Sequence, residues 1–368
     1  MRRAGTTLIP VALVLLAACT GTTDPRAPGP GTPAATTSES SAPRPSEPTA
    51  DPPVVTRLLV VGDLMLGRRV AAANPGRPVR PLRHLAPSIR RADIAVGNLE
   101  STLDDDGPPQ QGDDSFAAPP GTLRGLESVG FDAMSLANNH TGDYGPAMLL
   151  DTVEELRDSR IAGFGAGPDR AAASRPAVVE HDGIRFGFLG FNAIGETPMA
   201  GARSPGALSV RMPIRTAPEI VRADLDHVLG VVRRLDRRVD VVVVLPHWGD
   251  QYTHEALPVQ STVGRALVGA GADLVVGGHP HWVQGLESVG AAVIAHSLGN
   301  AVFDMDFMEQ TMEGVTLTAT FRDDRLVDVA LDPYRMDADF APRPLRGAAG
   351  AAVLADVRAH HVGRYRAP

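Results

Sequence analysis

The chain has 368 residues, 43% of them hydrophobic, and a formal net charge of -8. Every basic residue is arginine and no basic run occurs, which excludes a nucleic-acid binder of the electrostatic kind. Cysteine occurs once, at position 19, which excludes an intramolecular disulfide and cysteine-ligated zinc.

Arg2 and Arg3 precede an apolar run from Leu8 to Ala18, too short to span a bilayer as a mature helix. The run closes on Leu16-Ala17-Ala18-Cys19, which resembles a bacterial lipoprotein signal over residues 1–19. That resemblance implies that Cys19 is lipidated and becomes the mature N-terminus. An ordinary secretory signal with an incidental cysteine is the other reading. Residues 20–53 contain no Val, Ile, Leu or aromatic residue, so they cannot bury enough apolar surface to order and read as a disordered spacer. A globular domain over 54–368 follows, expected outside the cell on the outer face of the membrane, held by the lipid.

Within that domain, Arg57 to Val61, Asp93 to Val96, Phe131 to Leu136, Val241 to Leu245, Leu274 to Val276 and Ala292 to Ala295 are short apolar runs without a period of two, as expected of strands buried on both faces. Helical patterns lie between them at Pro81 to Arg91, Gly121 to Val129, Pro146 to Arg160, Ala217 to Leu235 and Pro258 to Ala270. Pro176 to Phe191 reads as a hairpin turning at His181-Asp182-Gly183, and Val315 to Leu331 as another turning at Asp323-Asp324. Ala348 to His360 predicts a last helix. Alternating strands and helices with added hairpins predict a layered α/β domain with mixed sheets.

Five polar clusters each follow a predicted strand, and in α/β sheets the ligand crevice lies beyond the carboxyl ends of the strands. Asp63 follows the first, as a metal carboxylate or a helix N-cap. Glu100 closes Gly97-Asn98-Leu99-Glu100, as a carboxylate oriented by Asn98 or a surface ion pair. Asn138-Asn139-His140 with Asp143 offers an amide carbonyl ligand and an imidazole, or a simple Asx-turn. His247 after a Val/Leu run is a metal ligand or a satisfied core histidine, with Trp248 as a wall. His279-Pro280-His281 is the strongest pattern, since two histidines on an extended segment reach two cations, or one cation and a substrate. His296 reads as structural; His181, His227, His254 and the pair His360-His361 read as surface. No P-loop, H-E-x-x-H, G-x-S-x-G or Rossmann glycine pattern occurs.

The ordered motifs GD-x-M-x-G, GN-x-E, ANNH-x-x-D-x-G, HWG, G-x-H-P-H and SLGN, running from about Arg57 to Asp304, resemble the CapA family of poly-γ-glutamate capsule synthesis. The resemblance implies a four-layer α/β-sandwich of metallophosphatase-like (calcineurin-like) fold around a crevice for two divalent cations, or one, of Mn, Fe or Zn. It assigns Asp63, Asn139, His247, His279 and His281 to the metals, with Glu100 where the wider superfamily has a bridging Asp. It makes His140 the proton donor, Asp143 its positioning partner and Arg68 a clamp for a substrate anion. Two departures stand out: Met65 replaces the histidine of the superfamily's D-x-H, and Thr141 replaces the acid after Asn-His. Gln251 stands where CapA relatives often carry Glu. The function implied is a metal-dependent hydrolase of phosphoesterase type acting on an anionic polymer or phosphoester. The same site also suits an amide bond of a glutamyl polymer. A non-catalytic assembly or export factor for a membrane polyglutamate synthase is the alternative, and a solute-binding lipoprotein a third.

Overall fold

A computed structural model describes residues 52–368, which form one compact unit. The leader at 1–19 with Cys19, and all but the last two residues of the spacer at 20–53, lie outside the described residues. Two mixed sheets carry the domain. The first has the order Pro342–Pro344, Arg325–Met336, Glu313–Arg322, Val55–Leu64, Ile94–Leu99, Ala133–Ser135, Ala162–Phe164, with Asn300–Val302 joining the end of Val55–Leu64 in parallel. The second has the order Leu286–Val289, Ala292–Ala295, Leu274–Val276, Val241–His247, Ile184–Asn192, Ala177–His181. The parallel strands are flanked by antiparallel ones on both sides in the second sheet and on one side in the first, whose other edge is the parallel strand Ala162–Phe164.

Side chains on successive strand residues point to opposite faces. Leu58 and Val60 therefore face Phe186, Phe188, Val241 and Val243 of the other sheet, forming a core between the sheets. Leu59 and Val61 face outward, against Leu82, Ile89, Leu126 and Leu156 of the first helical layer. Val242, Val244 and Val275 point the other way and meet Leu225, Val228, Val263 and Leu267 of the helices Arg222–Asp236 and Pro258–Gly269. Helix, sheet, sheet, helix is the four-layer α/β-sandwich expected. It explains why the strands lack a polar period: each buries both faces, and a fully buried Val or Leu contributes about 1.5–3 kcal/mol.

Two helices depart from expectation. Pro81 to Arg91 is a 3-10 turn, Arg80–His84, followed by the short helix Ala86–Ile89, because the Pro87 nitrogen has no hydrogen to continue a ladder. The helix expected from Ala217 begins at Arg222, since Pro218 biases its predecessor away from helix. The first hairpin turns at Asp182 and Gly183, both with positive φ (47° and 84°), as a tight two-residue turn requires. Among the described residues no helix is long and apolar enough to cross a membrane.

Candidate metal centre

The parallel strands of both sheets deliver their carboxyl ends to one place. Asp63 pairs in register with Asn98 on the adjacent strand. The Asn98 amide donates to Asp63 Oδ1 at 2.9 Å and to Glu100 Oε2 at 3.2 Å, bridging the two carboxylates. Asn138 holds Asn98 in turn, donating to its Oδ1 at 2.9 Å and to the Leu99 carbonyl at 2.8 Å. From the second sheet, His247 Nε2 lies 2.8 Å from Asn139 Oδ1 and 3.7 Å from Glu100 Oε1. The His279 backbone N–H donates to Asp63 Oδ2 at 2.9 Å. The rings of His247, His279 and His281 follow one another with centroids 5.1 and 5.5 Å apart. A Cβ on Gly278 would lie 2.5 Å from Asp63 Oδ1, so this approach requires glycine.

Asp63, Glu100, Asn139, His247, His279 and His281 are each no more than 2% exposed. Burial pushes the Asp63 carboxyl up to about 6, and burial together with the charges of Asp63 and Asp143 pushes Glu100 well above the carboxylate range. Burial pulls His281 down to about 4, and holds His247 and His279 well below the histidine range, with neighbouring imidazoles adding to the effect. The histidines are thus neutral and keep lone pairs for a ligand.

Among the metal-holding candidates, three buried polar atoms have no hydrogen-bond partner: Glu100 Oε1 and both ring nitrogens of His279. Orphaned groups of this kind are costly and point to a missing partner. One ligand atom from each of Asp63, Glu100 and His281 lies within 4.8 Å of the others. These groups can hold a metal ion: carboxylates and imidazoles are its usual donors, and a dication would relieve the cost of burying facing acids. Glu100 belongs to both groupings, with Asp63 and His281 and with His247 and Asn139.

The acid–base candidates sit alongside. His140 Nδ1 lies 2.7 Å from Asp143 Oδ2, an oxygen that also accepts the Phe116 N–H at 2.7 Å. Gln111 Nε2 donates to the other Asp143 oxygen at 2.5 Å. Phe116 stacks on His140 with centroids 3.8 Å apart, and the Arg68 guanidinium lies 4.3 Å from the Phe116 centroid on this side of the mouth. Arg68, expected to clamp a substrate anion, is already engaged: it is paired with the buried Asp304 carboxylate and meets Asp114 at 3.3 Å.

The two departures from the superfamily pattern have structural accounts. Met65 is fully buried in the core beneath the helices, where its sulfur accepts the Gly67 N–H at 3.2 Å, so it does not replace the missing histidine as a ligand. Thr141 turns its hydroxyl to the Leu136 carbonyl at 2.7 Å and to Asn138 Oδ1 at 3.0 Å.

His296 is structural, as expected, bonded to Glu287 at 3.1 Å. His181, His227, His254, His360 and His361, expected at the surface, are partly buried: His227 bonds Ser174, His254 the Val283 carbonyl, and His361 accepts the Leu286 N–H. Residues that sequence reasoning missed include Gln111, Phe116, Glu196 and Asp304. The first three lie in loops without motif character, whereas Asp304, just after SLGN, ends the stretch of motifs.

Backbone strain gathers here too. Of the eight non-glycine residues with positive φ among the described residues, five are Arg68, Glu196, Tyr252, His279 and His281. Such conformations cost about 1–3 kcal/mol each and persist where the surroundings enforce them, often at functional sites.

The fold and the site together define a four-layer α/β-sandwich that gathers Asp, Glu, Asn and His at the carboxyl ends of its strands. Residues 57–305 match the family described as bacterial capsule synthesis protein PGA_cap, and the chain belongs to that family, the CapA family. The capsule biosynthesis protein CapA of Bacillus anthracis is 29% identical over 297 residues, covering 79% of this chain and 70% of that protein. The PGA biosynthesis protein CapA of Bacillus subtilis is 28% identical over 248 residues, covering 66% of this chain and 62% of its own length. Among solved structures, a hypothetical protein from Thermus thermophilus is 15% identical with a TM-score of 0.46, covering 76% of this chain and 99% of that one.

Proposed function

We propose that this chain is a surface-anchored, divalent-metal-dependent hydrolase of phosphoesterase type, working in the synthesis of a poly-γ-glutamate capsule or a related envelope polymer. The observation that carries the reading is the set of unpaired buried atoms, Glu100 Oε1 and both nitrogens of His279, among neutral imidazoles and facing carboxylates. Asp63, Glu100, Asn139, His247, His279 and His281 are the metal-holding residues. Divalent cations held there would supply the positive charge that lowers the pKa of water and offsets a developing oxyanion. With Nδ1 directed at Asp143, His140 is left with Nε2 as the ring nitrogen that serves proton delivery to a leaving oxygen. Cys19 carries the lipid that places the domain outside the membrane, within reach of an anionic polymer and of a polyglutamate synthase.

A second reading, the non-catalytic assembly factor, is favoured by Met65: a ligand position of the superfamily is spent on the core. Elemental analysis of residues 54–368 decides between them, with the His279→Ala, His281→Ala double variant as control. About two equivalents of Mn, Fe or Zn, lost in the variant, are expected for a dinuclear hydrolase. No metal after reconstitution would leave the assembly factor standing.

A further inference from the structure

Asn139 is the one amide among the metal-holding residues. The oxygen and the NH2 of an amide have nearly the same shape, so close packing alone does not choose which end faces a ligand. Here Oδ1 is turned to His247 Nε2 at 2.8 Å, and Nδ2 points the other way and donates to Glu196 Oε2 at 2.6 Å. An ionised carboxylate only accepts. Turned over, the amide would set its oxygen against Glu196 and its NH2 against His247.

Glu196 reaches this point from outside every motif. The strand Ile184–Asn192 runs parallel to Val241–His247 with Asn192 opposite His247, and the Ala193 N–H donates to the His247 carbonyl at 2.9 Å. Asn192 closes the turn that follows: its Nδ2 donates to the Gly195 carbonyl at 2.8 Å, and its Oδ1 accepts the Ile194 N–H at 2.9 Å. Just beyond Glu196, Thr197 Oγ1 accepts the Gly142 N–H at 2.9 Å, which ties the turn to the loop that carries Asn139. Between these anchors Glu196 is held at φ 62°, a left-handed conformation that a side chain disfavours. After burial, Asp63 and Asp143, Glu196 is a further charge that pushes the Glu100 carboxyl up, so its carboxylate stands within the field of the centre.

We propose that Glu196 is the positioning residue for Asn139: its carboxylate takes the Asn139 N–H and so keeps the carbonyl oxygen, not the NH2, turned to His247 and to a bound cation. Without that acceptor nothing at the far end of the side chain opposes the reversed amide, which would offer a cation hydrogens in place of a lone pair. A glutamine at 196 keeps an acceptor, and an alanine does not. The assignment rests on the metal-centre reading above and adds a residue to it.

Two measurements test it: Mn affinity by chelator competition, and the His247 tautomer of the metal-free protein by heteronuclear NMR of isotope-labelled histidine. In the metal-free parent Asn139 Oδ1 accepts from His247, which places the ring proton on Nε2. Glu196→Ala should weaken Mn binding by about 10–100-fold and shift that proton toward Nδ1, and Glu196→Gln should restore both. With Asn139→Asp both ends of the side chain are oxygens, so in that background Glu196→Ala should leave Mn affinity unchanged or raise it by removing a facing charge. An equal loss in both backgrounds would reduce Glu196 to a structural residue and overturn the proposal, as would parent-like affinity and tautomer in Glu196→Ala. The tautomer needs no metal, so the two readings separate. A protein that takes up no Mn, yet changes tautomer in Glu196→Ala, keeps the positioning residue and loses the metal centre; one that takes up no Mn and keeps its tautomer loses both.

Discussion

Asn300 Oδ1 lies 2.8 Å from His281 Nδ1, so the asparagine of the SLGN motif fixes the ring that stands beside Asp63 and Glu100. The Asn300 amide donates to the Thr311 carbonyl at 2.9 Å, which locks the asparagine in turn. Groups that orient a ligating histidine typically change metal affinity by about 10–100-fold when removed. Asn300→Ala should therefore weaken metal binding by about that factor, read by competition with a chelator of known affinity. Parent-like affinity would place His281 outside the centre.

Metal binding should release protons. Without metal, Asp63 titrates at about 6 and Glu100 well above the carboxylate range, both because of burial. A cation needs both ionised, so it must displace their protons, and affinity should fall as pH falls through about 6. His281, held down to about 4, adds proton competition only near that lower value. Calorimetry in two buffers of different ionisation enthalpy counts the protons. Affinity unchanged from about pH 7 to about pH 5 would remove these two carboxylates from the site.

Arg68→Ala should act on stability. The Asp304 side chain paired with Arg68 is 1% exposed, so deleting the guanidinium strands a buried carboxylate. Breaking a buried pair costs about 3–5 kcal/mol. With the Arg68 side chain 26% exposed, and the Arg69 N–H still donating to Asp304, the loss should be nearer to about 2 kcal/mol. Denaturant unfolding measures it, and a change within about 0.5 kcal/mol would show that the pair is only a surface contact.

Asp273 offers a pH test away from the centre. Burial, with the nearby charges of Asp236 and Asp324 adding to it, raises its carboxyl to about 6, against a lowering bond from the Val242 N–H at 2.8 Å. The folded protein thus holds a proton that the unfolded chain releases near pH 4, so this residue lowers stability as pH rises from about 4 to about 6. Asp273→Asn keeps the acceptor for Val242 and removes the charge. It should be more stable than the parent at pH 7 by on the order of 1 kcal/mol, discounted for partial exposure, with the difference vanishing near pH 4. Unfolding at both pH values checks it; a variant less stable at pH 7 would contradict the sign.

Much of the fold is legible in sequence because burial on both faces leaves a local mark. Runs such as Val241 to Leu245 and Leu274 to Val276 are strands where expected, and Asp182-Gly183 turns its hairpin because positive φ at both positions suits those residues. The helix expected over Pro81 to Arg91 is broken in two because apolar periodicity does not register what Pro87 does to a backbone ladder.

The sequence by itself determined which side chains meet: strand-end placement carries Asp63, Glu100, Asn139, His247, His279 and His281 to one crevice through the geometry of a parallel sheet. It could not determine where long side chains end. Arg68 follows the first strand in sequence yet pairs with Asp304, 236 residues later. Met65 likewise occupies a ligand's position in the motif and a core residue's position in space. The reason is physical: backbone register places a Cα from local pattern, but the head of a long side chain goes to whichever buried charge or apolar wall the tertiary packing brings near.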